Sequence, residues 1–164
     1  MKMKVLITQA LFPESYSSIL NRYDCIMPKE NSFSKAEIID KITDCDALLS
    51  MFNFKIDKEI IDAGIRLRII SNFGVGFNNI DVEYASKRGI VVTNTPDVVI
   101  EPTAELAFGM MLDLVRHISY ADRRIRKQSV KWGVLENLSH SLNGKLLGII
   151  GFGNVGQAIA RRAV

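Results

Sequence analysis

Cysteine is scarce in this 164-residue sequence: Cys25 and Cys45 are the only two, and they lack metal-ligand spacing. Both are expected to be reduced thiols of a cytoplasmic protein, which excludes a disulfide scaffold. Histidine is equally rare, with His117 and His140 alone. Neither has a cysteine or carboxylate at ligand spacing, although Asp113 lies one turn before His117. Both are read as structural or surface residues, and no metal is expected. No apolar run approaches the ~18 residues of a membrane span. No internal repeat, low-complexity tract, paired carboxylates or Ser/His/Asp set stands out. A net charge of +3 is too small to call for a nucleic-acid or membrane partner. The opening MKMKVLITQALF imitates a signal peptide, but Pro13-Glu14 follows it without a small-residue cleavage site, so a first strand is expected instead.

What is present is an ordinary globular composition, 48% hydrophobic and 24% charged. A compact chain of this size buries roughly 70% of its unfolded surface, enough for a real core. The organising stretch is Lys145 to Gly156, KLLGIIGFGNVG. Leu146, Leu147, Ile149 and Ile150 form the short apolar run of a buried parallel strand. Asn143-Gly144 supplies a turn before it, and Gln157 to Val164 continues with helix formers. Between them Gly151, Gly153 and Gly156 make a G-x-G-x-x-G. In such a turn the first glycine permits a tight bend, the second a close approach to a pyrophosphate, and the third close packing of helix on strand. The anion then rests on free N–H groups at the helix N-terminus.

The residues before it alternate strand and helix. Strands are expected at residues 4–8, 23–27, 47–51, 67–73 and 90–93. Helices are expected from Pro13 to Asn21, after a Ser34/Glu37 capping box with Ile38, Ile39 and Ile42 inward, from Asp57 to Ala63 before Gly64, and from Asp81 to Lys87 before Gly89. This pattern predicts a flavodoxin-like parallel sheet with helices on both faces. Two occupants of that fold are unlike it, since Gln9-Ala10-Leu11 supplies neither the clustered acids of a phosphate-accepting receiver nor the serines, threonines and glycine of a flavin-phosphate loop.

The loop Gly74-Val75-Gly76-Phe77-Asn78-Asn79 follows the fourth strand, where open α/β sheets place ligand crevices. Two readings stay open: a turn that needs glycine, with Asn78 and Asn79 tolerating positive φ, or an anion nest of successive N–H groups. Asn94-Thr95-Pro96 breaks the chain, and a hinge is placed near residues 95–102. One long helix is expected from Thr103 to about Lys127, with Phe108, Met110 and Met111 in the core. Its basic end, Arg123, Arg124, Arg126, Lys127 and Lys131, is read either as a solvated helix terminus or as a salt-bridged arm. Trp132 is expected to pack the following connection against the sheet.

Three segments, SNFGVGFNNID (71–81), RGIVVTNTPDVVIEPTAELAFGMMLDLVR (88–116) and LNGKLLGIIGFGNVGQAIARRA (142–163), resemble the D-isomer-specific 2-hydroxyacid dehydrogenases, which include glyoxylate/hydroxypyruvate reductases and phosphoglycerate dehydrogenases. The resemblance implies a substrate domain over residues 1–98 and, over 99–164, the truncated start of a Rossmann domain, its first strand, turn and helix. It implies NAD or NADP as cofactor, and a small 2-keto or 2-hydroxy acid whose carboxylate meets the backbone of Val75 and Gly76, with Phe52 lining the pocket. Thr103 would lie near the nicotinamide, and Gly151, Gly153, Asn154, Val155 and Gly156 would hold the pyrophosphate. Many members have arginine where Asn154 stands, so one cation near the pyrophosphate is absent. Residues 103–140 resemble the family's dimerisation arm and imply a homodimer. The family's catalytic arginine, glutamate and histidine fall beyond Val164, so no catalytic residue is assigned and this stretch alone is expected to be inactive. The alternative is a dinucleotide-sensing or partner-binding module of the same fold without catalysis.

Overall fold

The computed structural model describes residues 2–10 and 12–164, without the side chains of Pro13, Ser15 and Tyr16. Met1, and Leu11 of the Gln9-Ala10-Leu11 stretch, lie outside the described residues. The chain divides into two compact units, Met1–Asp97 and Val98–Val164.

The first unit alternates as expected: β1 (Lys4–Ile7), α1 (Pro13–Arg22), β2 (Asp24–Ile26), α2 (Lys35–Ile42), β3 (Ala47–Met51), α3 (Lys58–Ala63), β4 (Ile69–Phe73), α4 (Val82–Lys87) and β5 (Val91–Thr93). The five strands are all parallel, in the order β2-β1-β3-β4-β5. That order reverses direction between β1 and β3, the place where an open α/β sheet parts its connections and leaves room for a ligand. Local chemistry sets the element ends. Ser34 and Glu37 form the capping box of α2. The Asp57 and Asp81 side chains accept the N–H groups of Ile60 and Tyr84 at the starts of α3 and α4. Gly89, at φ +72°, lets the chain leave α4 in the left-handed conformation that a side chain would resist.

The core follows from strand alternation. Leu6, Leu48 and Ile70 are buried on one sheet face together with Ile38 and Ile42 of α2, Ile60 and Ile61 of α3 and Ala85 of α4. Each of these leucines and isoleucines contributes about 1.5–3 kcal/mol by leaving water. Val5, Ile7 and Met51, at alternate positions, are buried too. Asp46 ties one sheet end, accepting from the Lys4 amide at 2.9 Å and from Arg66 at 3.2 Å.

The second unit departs from expectation in three places. The long helix is two, α5 (Ile100–Arg116) and α6 (Ile118–Arg126), broken at His117 with φ 58°. The cause is local: the Asp113 carboxylate accepts from the Ser119 amide at 2.6 Å and from its hydroxyl at 2.8 Å, capping a new helix start across the break. Ser119 thereby holds the Asp113 carboxyl below its ordinary pKa. Met110 is 63% exposed rather than core, with Phe108 and Met111 half-buried, and Trp132 is 91% exposed rather than packed on the sheet.

The third departure concerns residues 146–150, which form no strand: Leu146 and Ile150 are fully exposed, at 100% and 105%. A strand exists only through hydrogen bonds to a neighbour, and among the described residues of this unit there is none to pair with. The rest of the motif forms. Gly144 turns at φ +69°, and α7 (Asn154–Arg162) follows the glycines and packs against α5. Ala104 of α5 and Gly156 and Ala158 of α7 are buried, small residues that suit a close helix approach. Glu101 joins Arg161 at 2.9 Å and Arg162 at 2.6 Å, and Arg162 also reaches Glu105.

Candidate functional site

In the first unit, the ends of β3, β4 and β5 bring Phe52, the loop 74–76 and Asn94 to one edge of the sheet. Phe52, Phe73, Val75 and Phe77 are all exposed here, an apolar rim around a polar loop. Neither glycine of the loop is at positive φ, and Gly74 is needed for space. A Cβ on Gly74 would stand 2.6 Å from the Phe52 Cβ, so glycine is what lets the β3 and β4 loops touch. Asn78 and Asn79 do form a turn, closed by the Ile80 amide on Phe77 O at 3.0 Å, but neither takes positive φ. Asn79 instead donates to the carbonyls of Met51 at 3.2 Å and Phe54 at 2.9 Å, stitching the two loops together.

The carbonyls of the loop are all engaged. Gly74 O accepts from the Thr95 amide at 3.0 Å, Val75 O from Asn94 Nδ2 at 2.7 Å, and Gly76 O from the buried Asn72 Nδ2 at 2.7 Å. The amides of Val75 and Gly76 donate to nothing among the described residues. Two adjacent N–H groups without acceptors, held by a scaffold that uses up the oxygens, form a preorganised acceptor for an anion such as a carboxylate. Sequence reasoning misses the anchoring roles of Asn72, Asn79 and Asn94. Asn72 carries a usable signal, a polar residue inside the apolar run of β4 that must find partners when buried. A hollow of about 480 Å³ elsewhere in this unit is lined by Lys55, Asp57, Asn78 and Asp81 among others. Of its carboxylates Asp57 and Asp81 cap helices, and Lys35 binds both Asp57, whose pKa it lowers, and Glu59.

In the second unit, the glycine loop has the shape its spacing predicts even without the strand. Gly151 sits at φ +88°, and a Cβ on Gly156 would fall 2.3 Å from Gly151 O, so only glycine permits this bend against the helix. Gly153 is the N-cap of α7, no side chain caps the helix, and a Cβ at Gly153 would meet open space. The first amides of α7 are therefore uncapped by side chains, and Asn154 and Val155, unlike the buried Gly156, are open to an approaching phosphate. These residues fit a dinucleotide pyrophosphate. Thr103 lies exposed in the first turn of α5, its amide bonded to Val99 O at 3.0 Å. His117 and His140 are both exposed, and neither lies in the glycine loop.

Residues 5–160 match the family model described as D-isomer specific 2-hydroxyacid dehydrogenase, catalytic domain. The glyoxylate reductases of Pyrococcus furiosus and Korarchaeum cryptofilum are each 40% identical to the chain over 99% of its length and 50% of theirs. Among solved structures, a protein from Thermus thermophilus superposes with a TM-score of 0.89 at 31% identity, covering 98% of this chain and 52% of that one. An NADPH-dependent glyoxylate/hydroxypyruvate reductase from Sinorhizobium meliloti, in complex with NADP and malonate, superposes at 0.73 with 28% identity, covering 99% and 50%. The chain belongs to the D-isomer-specific 2-hydroxyacid dehydrogenase family. It spans about half the length of the curated relatives it matches. Among the described residues, no helix is long and apolar enough to cross a membrane.

Proposed function

We propose that these residues carry the keto-acid-binding part and the start of the nucleotide-binding part of an NAD(P)-dependent oxidoreductase acting on a small 2-keto or 2-hydroxy acid such as glyoxylate or hydroxypyruvate. The reading rests above all on the paired free amides of Val75 and Gly76. They suit a carboxylate, the group common to this substrate class, and Phe52 provides an apolar wall beside them. Residues 1–98 serve as the substrate domain and 99–164 as the start of the dinucleotide domain. Gly151, Gly153, Asn154, Val155 and Gly156 hold the pyrophosphate, and Thr103 lies toward the nicotinamide. The cofactor, when bound, supplies or accepts the hydride. This chain's own part is to hold the carboxylate and the diphosphate at fixed places, which lowers the entropic cost of bringing the reactants together. Neither His117 nor His140 is assigned a proton-transfer role. Residues 103–140 contribute a homodimer contact, a reading supported by the exposed Leu106, Met110, Leu114, Ile118, Trp132 and Leu138. Those same side chains favour the second reading, a partner-binding module without catalysis.

The test is oxidation of NADH or NADPH with glyoxylate. Residues 1–164 alone are expected to show none, while a chain extended to the length of its relatives turns over. In the extended chain Gly156→Ala, which drives a Cβ into Gly151 O, raises the cofactor KM about tenfold or more, equivalent to about 1.4 kcal/mol of lost binding. Turnover by the 164 residues alone refutes the absence of catalytic groups. An inactive extended chain that still binds dinucleotide favours the second reading.

A further inference from the structure

We propose that Asn94 is a positioning residue for the substrate anion: by fixing the Val75 carbonyl it aims the Gly76 N–H at the carboxylate. This role rests on the reading of Val75 and Gly76 as the carboxylate site and adds the residue that sets its geometry.

Peptide planarity links the anchor to the donor. A trans peptide holds its C=O and N–H antiparallel in one plane, so anchoring the oxygen also orients the hydrogen on the opposite side. No cis peptide bond occurs among the described residues. The Gly74 carbonyl shares its plane with the Val75 N–H, and the Val75 carbonyl shares its plane with the Gly76 N–H. The anchors therefore divide the work. The main-chain Thr95 amide, 3.0 Å from Gly74 O, sets the Val75 N–H. The Asn94 side chain, 2.7 Å from Val75 O, sets the Gly76 N–H. Asn72, 2.7 Å from Gly76 O, sets the next peptide, that of Phe77. Only the Asn94 anchor joins a half-buried side chain to one of the two amides of interest.

Two physical consequences follow. Without the anchor, the 75–76 peptide is free to rotate, and the Gly76 N–H loses its fixed direction. A hydrogen bond to a carbonyl also polarises the N–H of the same peptide, making it a stronger donor. Both effects fall on Gly76 and leave Val75, whose peptide is held by main chain, largely unchanged. That asymmetry separates positioning from general damage to the fold.

The experiment is a glyoxylate titration of the 164-residue protein, followed by the ¹H–¹⁵N cross-peaks of Val75 and Gly76. In the unaltered protein both amides shift and saturate together. Asn94→Ala is expected to weaken glyoxylate binding about three- to tenfold, the effect of one lost hydrogen bond. In the bound state the Gly76 shift shrinks while the Val75 shift persists. Asn94→Asp, which replaces the donor with an acceptor and adds a negative charge, weakens binding further, by about tenfold or more. Cross-peaks of β1 and β3 serve as the fold control, and a variant in which they stay in place with Gly76 alone affected supports the proposal. If the unaltered protein's two amides ignore glyoxylate, the carboxylate-site reading itself fails. If they respond and Asn94→Ala responds identically, or if Val75 and Gly76 lose their response equally, the positioning role of Asn94 is overturned while the site stands.

Discussion

The two units of this chain use similar sequence material to different ends. In Met1–Asp97 every predicted strand has a neighbour, and aliphatic residues of three helices close over one face of the sheet. In Val98–Val164 the apolar run Leu146–Ile150 is as strand-like in composition as β3 or β4, yet it is unpaired and largely exposed. The difference teaches that strand-forming residues specify a face and a period, while the strand itself is a property of the pair. The helices show the same contrast. In the first unit α2 and α3 bury isoleucines, whereas α5 and α7 meet through small residues and ion pairs and leave Leu106, Met110 and Leu114 to solvent.

The sharpest way to break this comparison is hydrogen exchange. Amides in the middle of β3 and β4, such as those of Leu48 and Ile70, are expected to exchange about a thousandfold or more slowly than those of Leu147 and Ile149. Equal protection would show that residues 146–150 find a strand partner in solution. The next effect is energetic. Ile70→Ala, in the closed core, costs about 2–5 kcal/mol in urea denaturation, whereas Leu114→Ala, on an exposed face, stays within about 0.5 kcal/mol of the parent. A large loss from Leu114→Ala would mean that its face is covered.

The smallest effect is electrostatic. Hydrogen bonds from Arg162, and then Arg161, hold the Glu101 carboxyl below its ordinary pKa of 4.5. The folded state thus binds the proton less readily than the unfolded state. The pair's contribution is complete above about pH 4.5 and is lost as pH falls through the lower folded value. The methyl resonances of Ala104 and Ala158, buried where α5 and α7 pack, should move over that window and move less in Glu101→Gln. Because these groups are exposed and screened by water, the change in overall stability is small.

Much of the candidate site is legible in the sequence. Gly151 and Gly156 are placed by spacing, because a tight bend against a helix start excludes side chains there: Gly151 takes φ +88°, and a Cβ on Gly156 would fall 2.3 Å from Gly151 O. Ser34 with Glu37, Asp57, Asp81 and Gly89 mark helix ends for the same local reason. The anchors of the 74–76 loop are not legible, since Asn94 lies 19 residues from Val75 and meets it only because β4 and β5 are neighbours. Nor is the break at His117, beyond which Ser119 donates to the Asp113 carboxylate.

Sequence alone determined the order of elements in the first unit, their caps and the glycine turn, because caps and turns depend on contacts within a few residues. Tertiary structure decided which apolar runs became strands and which neighbours took the carbonyls of the 74–76 loop. Those outcomes require a neighbour brought close by the sheet, and no local pattern states who that neighbour is.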